Sequence, residues 1–171
     1  MKLYHFIYAL FLGFSVALAY GAGYRLNTTA SAPFGIWQII DTEPVQHGSW
    51  VVICPPRNPL VSEFRHRGYI DAGYCAGGFE MLLKQVAALP GDHIKVSEEG
   101  IAVDGHLIAG TEPATVDGEG RPLVGLIVDQ VVEKGDVWVY SARYRSVDSR
   151  YIGPFKLYAI DGVAKPILVG E

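Results

Sequence analysis

Residues 80–92 read EMLLKQVAALPGD, an apolar run that ends in a turn signal. Leu, Lys, Gln and Ala are good helix formers, so intrinsic propensity favours a helix over residues 80–89. Pro90-Gly91 stops the run after ten residues, and the neighbouring sequence is rich in Val, Ile and Tyr, which favour β-strands. We therefore predict a strand over residues 80–89, against the preference of the isolated segment.

The composition of the 171-residue chain is that of a folded protein with short elements. Apolar residues make up 50% and charged residues 19%, which excludes intrinsic disorder. The 20 glycines and 10 prolines interrupt the main part of the chain too often for long helices. The net charge is −4 and the most basic run is Arg65-His66-Arg67, so nucleic acid is not an expected partner. The length fits one domain with a short additional segment.

Short β-branched runs elsewhere in the chain predict a mostly β body. Further strands are predicted at residues 36–40, 49–54, 93–96, 101–103, 106–108, 123–132, 137–140 and 158–168. Asp104-Gly105 is the dipeptide of a tight hairpin turn, so the strands around it form a meander. Residues 111–122 are predicted to be a loop.

The N-terminal segment has no charged side chain from residue 3 to residue 22 (LYHFIYALFLGFSVALAYGA). Twenty helical residues extend about 30 Å, one hydrocarbon thickness, so this segment can span a bilayer. Lys2 favours a cytoplasmic amino terminus, although Arg25 on the far side opposes this orientation. We predict a transmembrane anchor over residues 1–22 and an external domain over residues 23–171. A cleaved signal peptide is the alternative, because Ala17-Leu18-Ala19 has the form of a processing site.

Two cysteines, Cys54 and Cys75, lie 21 positions apart. They form no C-x-x-C motif, so neither a zinc site nor a redox site is indicated. In an oxidising compartment one disulfide is the economical interpretation, and closing a loop of about 20 residues stabilises the fold by roughly 3 kcal/mol. Two buried thiols are the alternative.

The sequence offers few groups for metal or cofactor chemistry. Five histidines fall in the apolar segment, in turns or in short strands, outside any catalytic motif: His5, His47, His66, His93 and His106. The sequence also lacks the H-E-x-x-H, P-loop and G-x-G-x-x-G motifs, so we expect neither a metal nor a cofactor.

Lys84 is the remaining candidate for a general base. It lies inside the apolar run, where desolvation would lower the pKa of its ammonium from about 10.4 and make the neutral amine available. A lysine whose stem packs on the core while its ammonium stays in water is the alternative interpretation.

Three short segments carry a specific pattern. Ser31-Ala32-Pro33 follows the apolar segment closely, residues 84–92 read KQVAALPGD, and residues 146–153 read SVDSRYIG. In sequence and in order they resemble the nucleophile segment, the K-R-x-x-G-x-P-G-D segment and the S-x-D-S-R-Y/F-x-G segment of the type I signal peptidases. The resemblance implies a membrane-anchored Ser-Lys endopeptidase with an antiparallel β catalytic domain.

Two departures resemble the TraF peptidases of conjugative transfer systems. Residues 27–37 read NTTASAPFGIW where leader peptidases have S-M-x-P-T-L, and residues 141–145 read SARYR where they have G-D-N-R-D-N. The small size, the single apolar segment and the settings of the cysteines are similar too. This resemblance implies an inner-membrane protein with a periplasmic catalytic domain, acting on a pilin precursor or another signal-peptide-bearing protein.

The resemblance also implies a role for each matching residue. Ser31 is the expected nucleophile and Lys84 the expected general base. The Ser31 N–H and Thr29 are the expected oxyanion donors. Three downstream residues are expected to hold the Lys84 amine and to fix their own segment by an ion pair, namely Ser146, Asp148 and Arg150.

The resulting hypothesis is a serine endopeptidase that removes a leader from a membrane-associated precursor. A conjugative pilin is the leading substrate, and some members of the TraF family join the ends of the trimmed pilin into a ring. A general leader peptidase is the alternative with the same chemistry. A non-catalytic anchored β-domain of a secretion channel is the alternative from another class.

Overall fold

A long helix precedes a body of β-strands in the computed structural model, which describes residues 2–143 and 146–170. The helices are α1 (Lys2–Gly21), α2 (Pro59–His66) and α3 (Ser149–Ile152). The strands are β1 (Tyr24–Asn27), β2 (Gly35–Ile40), β3 (Trp50–Ile53), β4 (Ala72–Cys75), β5 (Leu82–Ala88), β6 (His93–Ser97), β7 (Gly100–Val103), β8 (His106–Leu107), β9 (Val128–Val131), β10 (Asp136–Tyr140), β11 (Phe155–Lys156) and β12 (Ile160–Val169). A 3₁₀ turn at Leu157–Ala159 precedes β12.

Eleven of the twelve described strands form two sheets, and β4 instead makes isolated antiparallel bridges to Phe79. The larger sheet has the order β1-β2-β12-β3-β5-β10-β11, and the smaller has the order β8-β7-β6-β9. The strand pairings in both sheets are antiparallel. The prediction of a mostly β, antiparallel fold is confirmed.

Strand β5 occupies the interior of the larger sheet, between β3 and β10. Lys84 pairs with Val51 of β3, and Val86 pairs with Val139 of β10. Neighbours on both sides decide the conformation of this stretch, and they override its helical propensity. The predicted strand is therefore confirmed over residues 82–88.

The smaller sheet contains the predicted meander. Asp104 and Gly105 both have positive φ, at 49° and 81°, as the tight turn between β7 and β8 requires. The predicted strand at residues 123–132 is only partly correct, because just Val128–Val131 joins the sheet. The residues before it bind other parts of the chain instead: the Leu126 N–H donates to the carbonyl of Arg150 in α3 at 2.8 Å, and the Leu123 N–H donates to the Thr115 carbonyl at 2.8 Å.

The segment between the two cysteines contains a helix that the sequence analysis did not predict. Helix α2 begins after Asn58, whose Oδ1 accepts from the Val61 N–H at 2.8 Å. Val61 and Phe64 of this helix are buried in the main core of the larger sheet. The segment is therefore a packed part of the domain.

Helix α1 leads directly into the hairpin of β1 and β2. Its residues Tyr4–Gly21 are long and apolar enough to span a membrane, and the rest of the protein does not cover them. Arg25 of β1 donates from Nη1 to the Tyr20 carbonyl at 2.7 Å, which ties the strand to the helix end. Gly35 at the start of β2 has a φ of 137°, and a Cβ there would lie 2.1 Å from the Leu168 carbonyl oxygen. This glycine therefore allows the hairpin to sit against β12.

Candidate active site

A cleft of about 440 Å³ lies between β1, the turn that follows it, and the start of β5. Four of the predicted site residues line this cleft, namely Thr29, Ser31, Lys84 and Ser146. The two others, Asp148 and Arg150, are fully buried. The structure thus brings together residues that are more than a hundred positions apart in sequence.

Lys84 is buried in this cleft with a single side-chain partner among the described residues. Its side chain is 2% exposed, and its Nζ donates to the Ser146 hydroxyl at 2.6 Å. Burial lowers the pKa of Lys84 to about 8, with a smaller lowering by the Arg150 guanidinium and an opposing rise from the Asp148 carboxylate. The ammonium is therefore not held in water, and the neutral amine is accessible near neutral pH.

Ser31 lies in the turn between β1 and β2. Its hydroxyl is 3.2 Å from the Thr29 hydroxyl, and its carbonyl accepts from the Ser141 hydroxyl at 2.6 Å. The next residue, Ala32, is buried in a small cluster with Trp37. In the described part of the chain no hydrogen bond joins Ser31 to Lys84, and substrate-free catalytic sites often have such open geometry.

Thr29 is exposed and its hydroxyl is engaged with a neighbour. Thr29 Oγ1 donates to Asn27 Oδ1 at 2.8 Å. The hydroxyl that the family resemblance assigns to the oxyanion hole therefore gives its proton to Asn27 in this structure.

Asp148 and Arg150 form the ion pair that the motif predicted. Arg150 donates from Nε to Asp148 Oδ1 at 2.8 Å and from Nη2 to Asp148 Oδ2 at 2.6 Å. Asp148 also caps α3, because its Oδ1 accepts from the Arg150 N–H at 3.1 Å. This two-bond pairing fixes the end of the segment that carries Ser146.

Ser141 connects the segment of Asp148 and Arg150 to the turn that carries Ser31, a contact the sequence did not indicate. Its N–H donates to Asp148 Oδ2 at 3.0 Å, its carbonyl accepts from Arg150 Nη2 at 3.0 Å, and its hydroxyl donates to the Ser31 carbonyl. The only available signal was that residues 141–145 depart from the leader peptidase pattern. Residues 144 and 145 of that stretch lie outside the described residues.

The predicted disulfide is present between Cys54 and Cys75. It closes the segment that contains α2, and Tyr69 of that segment lines the cleft. In the described ranges, no cluster of three or more His, Cys, Asp or Glu side chains is arranged to hold a metal ion.

The model of the signal peptidase family, peptidase S26, matches residues 3–169. The chain belongs to this family. The predicted resemblance is thereby confirmed, and membership makes the protein a serine peptidase of the signal peptidase class. The buried lysine and the serine-bearing turn lie in the part of the chain that this signal peptidase match covers.

Several relatives of this signal peptidase are conjugation proteins. It is 38% identical over 146 residues to the conjugal transfer protein TraF of Agrobacterium fabrum, covering 85% of this chain and 82% of that protein. A probable conjugal transfer protein TraF of Sinorhizobium fredii is 38% identical over 155 residues, with 90% and 81% covered. A plasmid transfer protein TraF of Escherichia coli is 34% identical over 151 residues, with 87% and 84% covered.

Among solved structures, a signal peptidase I from Enterococcus faecalis aligns with a TM-score of 0.43 and 17% sequence identity. The alignment covers 72% of this chain and 98% of that one.

Proposed function

We propose that the protein is a membrane-anchored serine endopeptidase in which Ser31 and Lys84 form the catalytic dyad. The observation that carries the proposal is the burial of Lys84 in the cleft that contains Ser31. Desolvation gives this lysine a pKa of about 8, which suits a general base near neutral pH.

The proposed reaction passes through an acyl-enzyme. Ser31 Oγ attacks the scissile carbonyl carbon while Lys84 Nζ takes the hydroxyl proton. The C–N bond then breaks, and Lys84 returns that proton to the leaving amine. In the second step water attacks the ester, Lys84 accepts a proton from the water, and Ser31 Oγ receives it as the acid product leaves. Ser146 holds the Lys84 amine throughout.

The proposed substrate is a leader-bearing precursor of a conjugative transfer apparatus, with the pilin precursor as the first choice. The names of the TraF relatives support this substrate class. The cleft is suited to an extended peptide, because residues of β1 and β5 line it and β1 is an edge strand of the larger sheet.

The proposed location is the inner membrane, with residues 1–22 as the anchor and residues 23–171 in the periplasm. The exposed apolar helix α1 supports the anchor. The disulfide supports an oxidising compartment for the catalytic domain. A site that begins just after the anchor also suits substrates that are themselves held in the membrane.

A mass spectrum of the co-expressed pilin precursor tests the proposal. Wild type is expected to trim the precursor, whereas Ser31→Ala and Lys84→Ala leave it intact. Two matched controls on β6, Ser97→Ala and Lys95→Ala, should trim it like wild type, because both side chains lie on the smaller sheet. A further loss of one water from the trimmed pilin would identify cyclisation.

Each other outcome has a defined meaning. Equal trimming by wild type and Ser31→Ala would contradict the dyad and favour a non-catalytic β-domain. An intact precursor with all variants would exclude this pilin, and rescue of a cell depleted of its own leader peptidase would then identify a general leader peptidase. The double variant Ser31→Ala/Lys84→Ala should be no worse than either single variant, because the two residues act as a unit.

A further inference from the structure

The side chain of Asn27 fills the turn that carries Ser31. Asn27 is the last residue of β1, and its Nδ2 lies 3.0 to 3.1 Å from three turn carbonyl oxygens, those of Thr29, Ala32 and Pro33. Its Oδ1 accepts from the Thr29 N–H at 3.2 Å and from the Thr29 hydroxyl at 2.8 Å. This half-buried side chain therefore supplies hydrogen-bond partners to backbone groups along most of the turn. These residues lie between β1 and β2, outside the hydrogen-bonded pairing of strands.

The partners determine which end of the Asn27 amide is nitrogen. Carbonyl oxygens only accept hydrogen bonds, so the amino group must face the three carbonyls. The Thr29 N–H only donates, so the amide oxygen must face Thr29. The orientation is thus fixed by chemistry on both sides.

The same reasoning assigns two hydroxyl protons. A hydroxyl has one proton, and the Thr29 proton goes to Asn27 Oδ1, which can only accept. Ser31 Oγ lies 3.2 Å from Thr29 Oγ1, so Ser31 is the donor in that contact. The resting Ser31 hydroxyl is therefore directed to Thr29, while Lys84 is bonded to Ser146.

We infer that Asn27 is a positioning residue for the nucleophile. This inference rests on the proposed role of Ser31 as that nucleophile. The Asn27 amide nitrogen holds the turn by donating to the carbonyl groups of the turn. The Asn27 amide oxygen orients the Ser31 hydroxyl indirectly, because it accepts the Thr29 hydroxyl proton. When a substrate is attacked, the hydroxyl turns from Thr29 to Lys84 while Asn27 keeps the Ser31 backbone in place. Loss of the Asn27 side chain displaces the attacking oxygen and leaves the lysine and the peptide-binding strands where they are.

Steady-state kinetics of the full-length enzyme on a peptide that spans the cleavage site test this role. Asn27→Ala is expected to lower kcat by about 10²-fold with KM and the pH midpoint nearly unchanged, because misplacement of a reacting atom costs that much. Thr29→Val should also lower kcat, and Thr29→Ser should retain it because the hydroxyl remains. The double variant Asn27→Ala/Thr29→Val should lose less than the product of the single losses.

Asn58→Ala is the matched control. The side-chain oxygen of Asn58 also accepts a hydrogen bond from a backbone N–H, that of Val61, but it does so at α2, away from the turn. This variant should leave kcat and KM at wild-type values. A kcat for Asn27→Ala close to that of wild type, or losses that multiply in the double variant, would overturn the inference.

Hydrogen exchange measured by mass spectrometry separates this inference from the proposed function. In Asn27→Ala the backbone N–H groups of residues 28–34, apart from Pro33, which has none, should exchange faster because the Thr29 N–H loses its partner. In Asn58→Ala only the start of α2 should change. If wild type cuts no precursor, the proposed function fails, yet the exchange result still decides whether Asn27 holds the turn. Unchanged exchange over residues 28–34 would refute the inference whatever the activity.

Discussion

Lys84 lies in the protein interior, where the charged form of a lysine side chain is energetically unfavourable. Its burial is the main reason that its pKa falls to about 8. The Asp148 carboxylate raises that pKa and the Arg150 guanidinium lowers it, because their charges are opposite, and the two act together since they form an ion pair. Desolvation therefore sets the protonation of the Lys84 amine, and the hydrogen bond to Ser146 sets its position.

The pH dependence of kcat/KM should follow the Lys84 amine. The neutral form is the active one, so activity rises with pH through a midpoint near 8. The neutral fraction of a group with a pKa of about 8 increases about tenfold between pH 7 and pH 9, and kcat/KM of the free enzyme should increase by a similar factor. A peptide substrate assayed over this range gives the profile.

Two variants make the assignment of this profile specific. Lys95→Ala should keep the midpoint, because Lys95 is exposed on β6. Lys84→Arg should be inactive at every pH, because a guanidinium stays protonated. A profile that is flat, or that falls with rising pH, is incompatible with a neutral lysine as base.

The site residues that the sequence predicted are those that belong to short sequence motifs. Ser31, Lys84 and Ser146 were predicted in this way, and the structure brings all three to one cleft. Asn27 and Ser141 were missed because their roles consist of contacts: Ser141 meets the Ser31 carbonyl across 110 positions of sequence. A hydrogen bond of that kind leaves no local pattern in a single sequence.

At the scale of elements, α3 and the end of β10 form a support behind the cleft. The buried pair of Asp148 and Arg150 joins them, since Asp148 accepts from the Ser141 N–H that follows β10. Arg150 also binds the carbonyl groups of Glu112 and Ser141. This arrangement satisfies most of the guanidinium donors inside the protein, as a buried charge requires.

Asp148→Asn is expected to destabilise the protein by about 3–5 kcal/mol, because it leaves the buried guanidinium without its counter-charge. At about 2–4 °C per kcal/mol for a protein of this size, the thermal midpoint should fall by on the order of 10 °C. Tryptophan fluorescence of the full chain in detergent measures this midpoint. The control is Glu43→Gln, which breaks an exposed pair with Lys165 and should cost less than about 1 kcal/mol. A midpoint for Asp148→Asn equal to that of the control would contradict the structural role of the pair.

The elements that the sequence predicted are those with strong periodicity or clear turn residues. β5, the meander and most of β12 were found from apolar runs and from Asp104-Gly105. Helix α2, β1, β4, α3 and β11 were missed because they are short and have mixed composition. Their conformation depends on the core and the sheet neighbours that receive them, so local propensity carries little information about them.

At the scale of the whole molecule, the disulfide-closed segment joins the core to the cleft. Phe64 of α2 is buried in the main core and packs against Tyr69, with the two tilted rings 5.4 Å apart between centroids. Tyr69 lines the cleft and its hydroxyl donates to Asp117, which in turn binds Arg121. These contacts therefore hold the disulfide-closed segment and the loop after β8 together beside the cleft.

Removing the disulfide should loosen this contact between the segment and the loop while Ser31 and Lys84 stay in place. For a closed loop of about 20 residues the expected loss is roughly 3 kcal/mol, mainly through greater freedom of the unfolded chain. The Cys54→Ala/Cys75→Ala variant should therefore unfold at a lower temperature, yet cleave its substrate well below that temperature. Thermal unfolding of the full chain in detergent measures the loss, and wild type refolded in reductant should match the variant.

Asn58→Ala separates the covalent link from the packing of the same segment. It removes the cap of α2 and should cost about 1 kcal/mol, while the disulfide stays closed. If the cysteine variant loses no more than Asn58→Ala, the segment owes its stability to the packing of Val61 and Phe64. If it loses more and also changes which precursors are cut, the disulfide holds Tyr69 against the cleft and contributes to the choice of substrate.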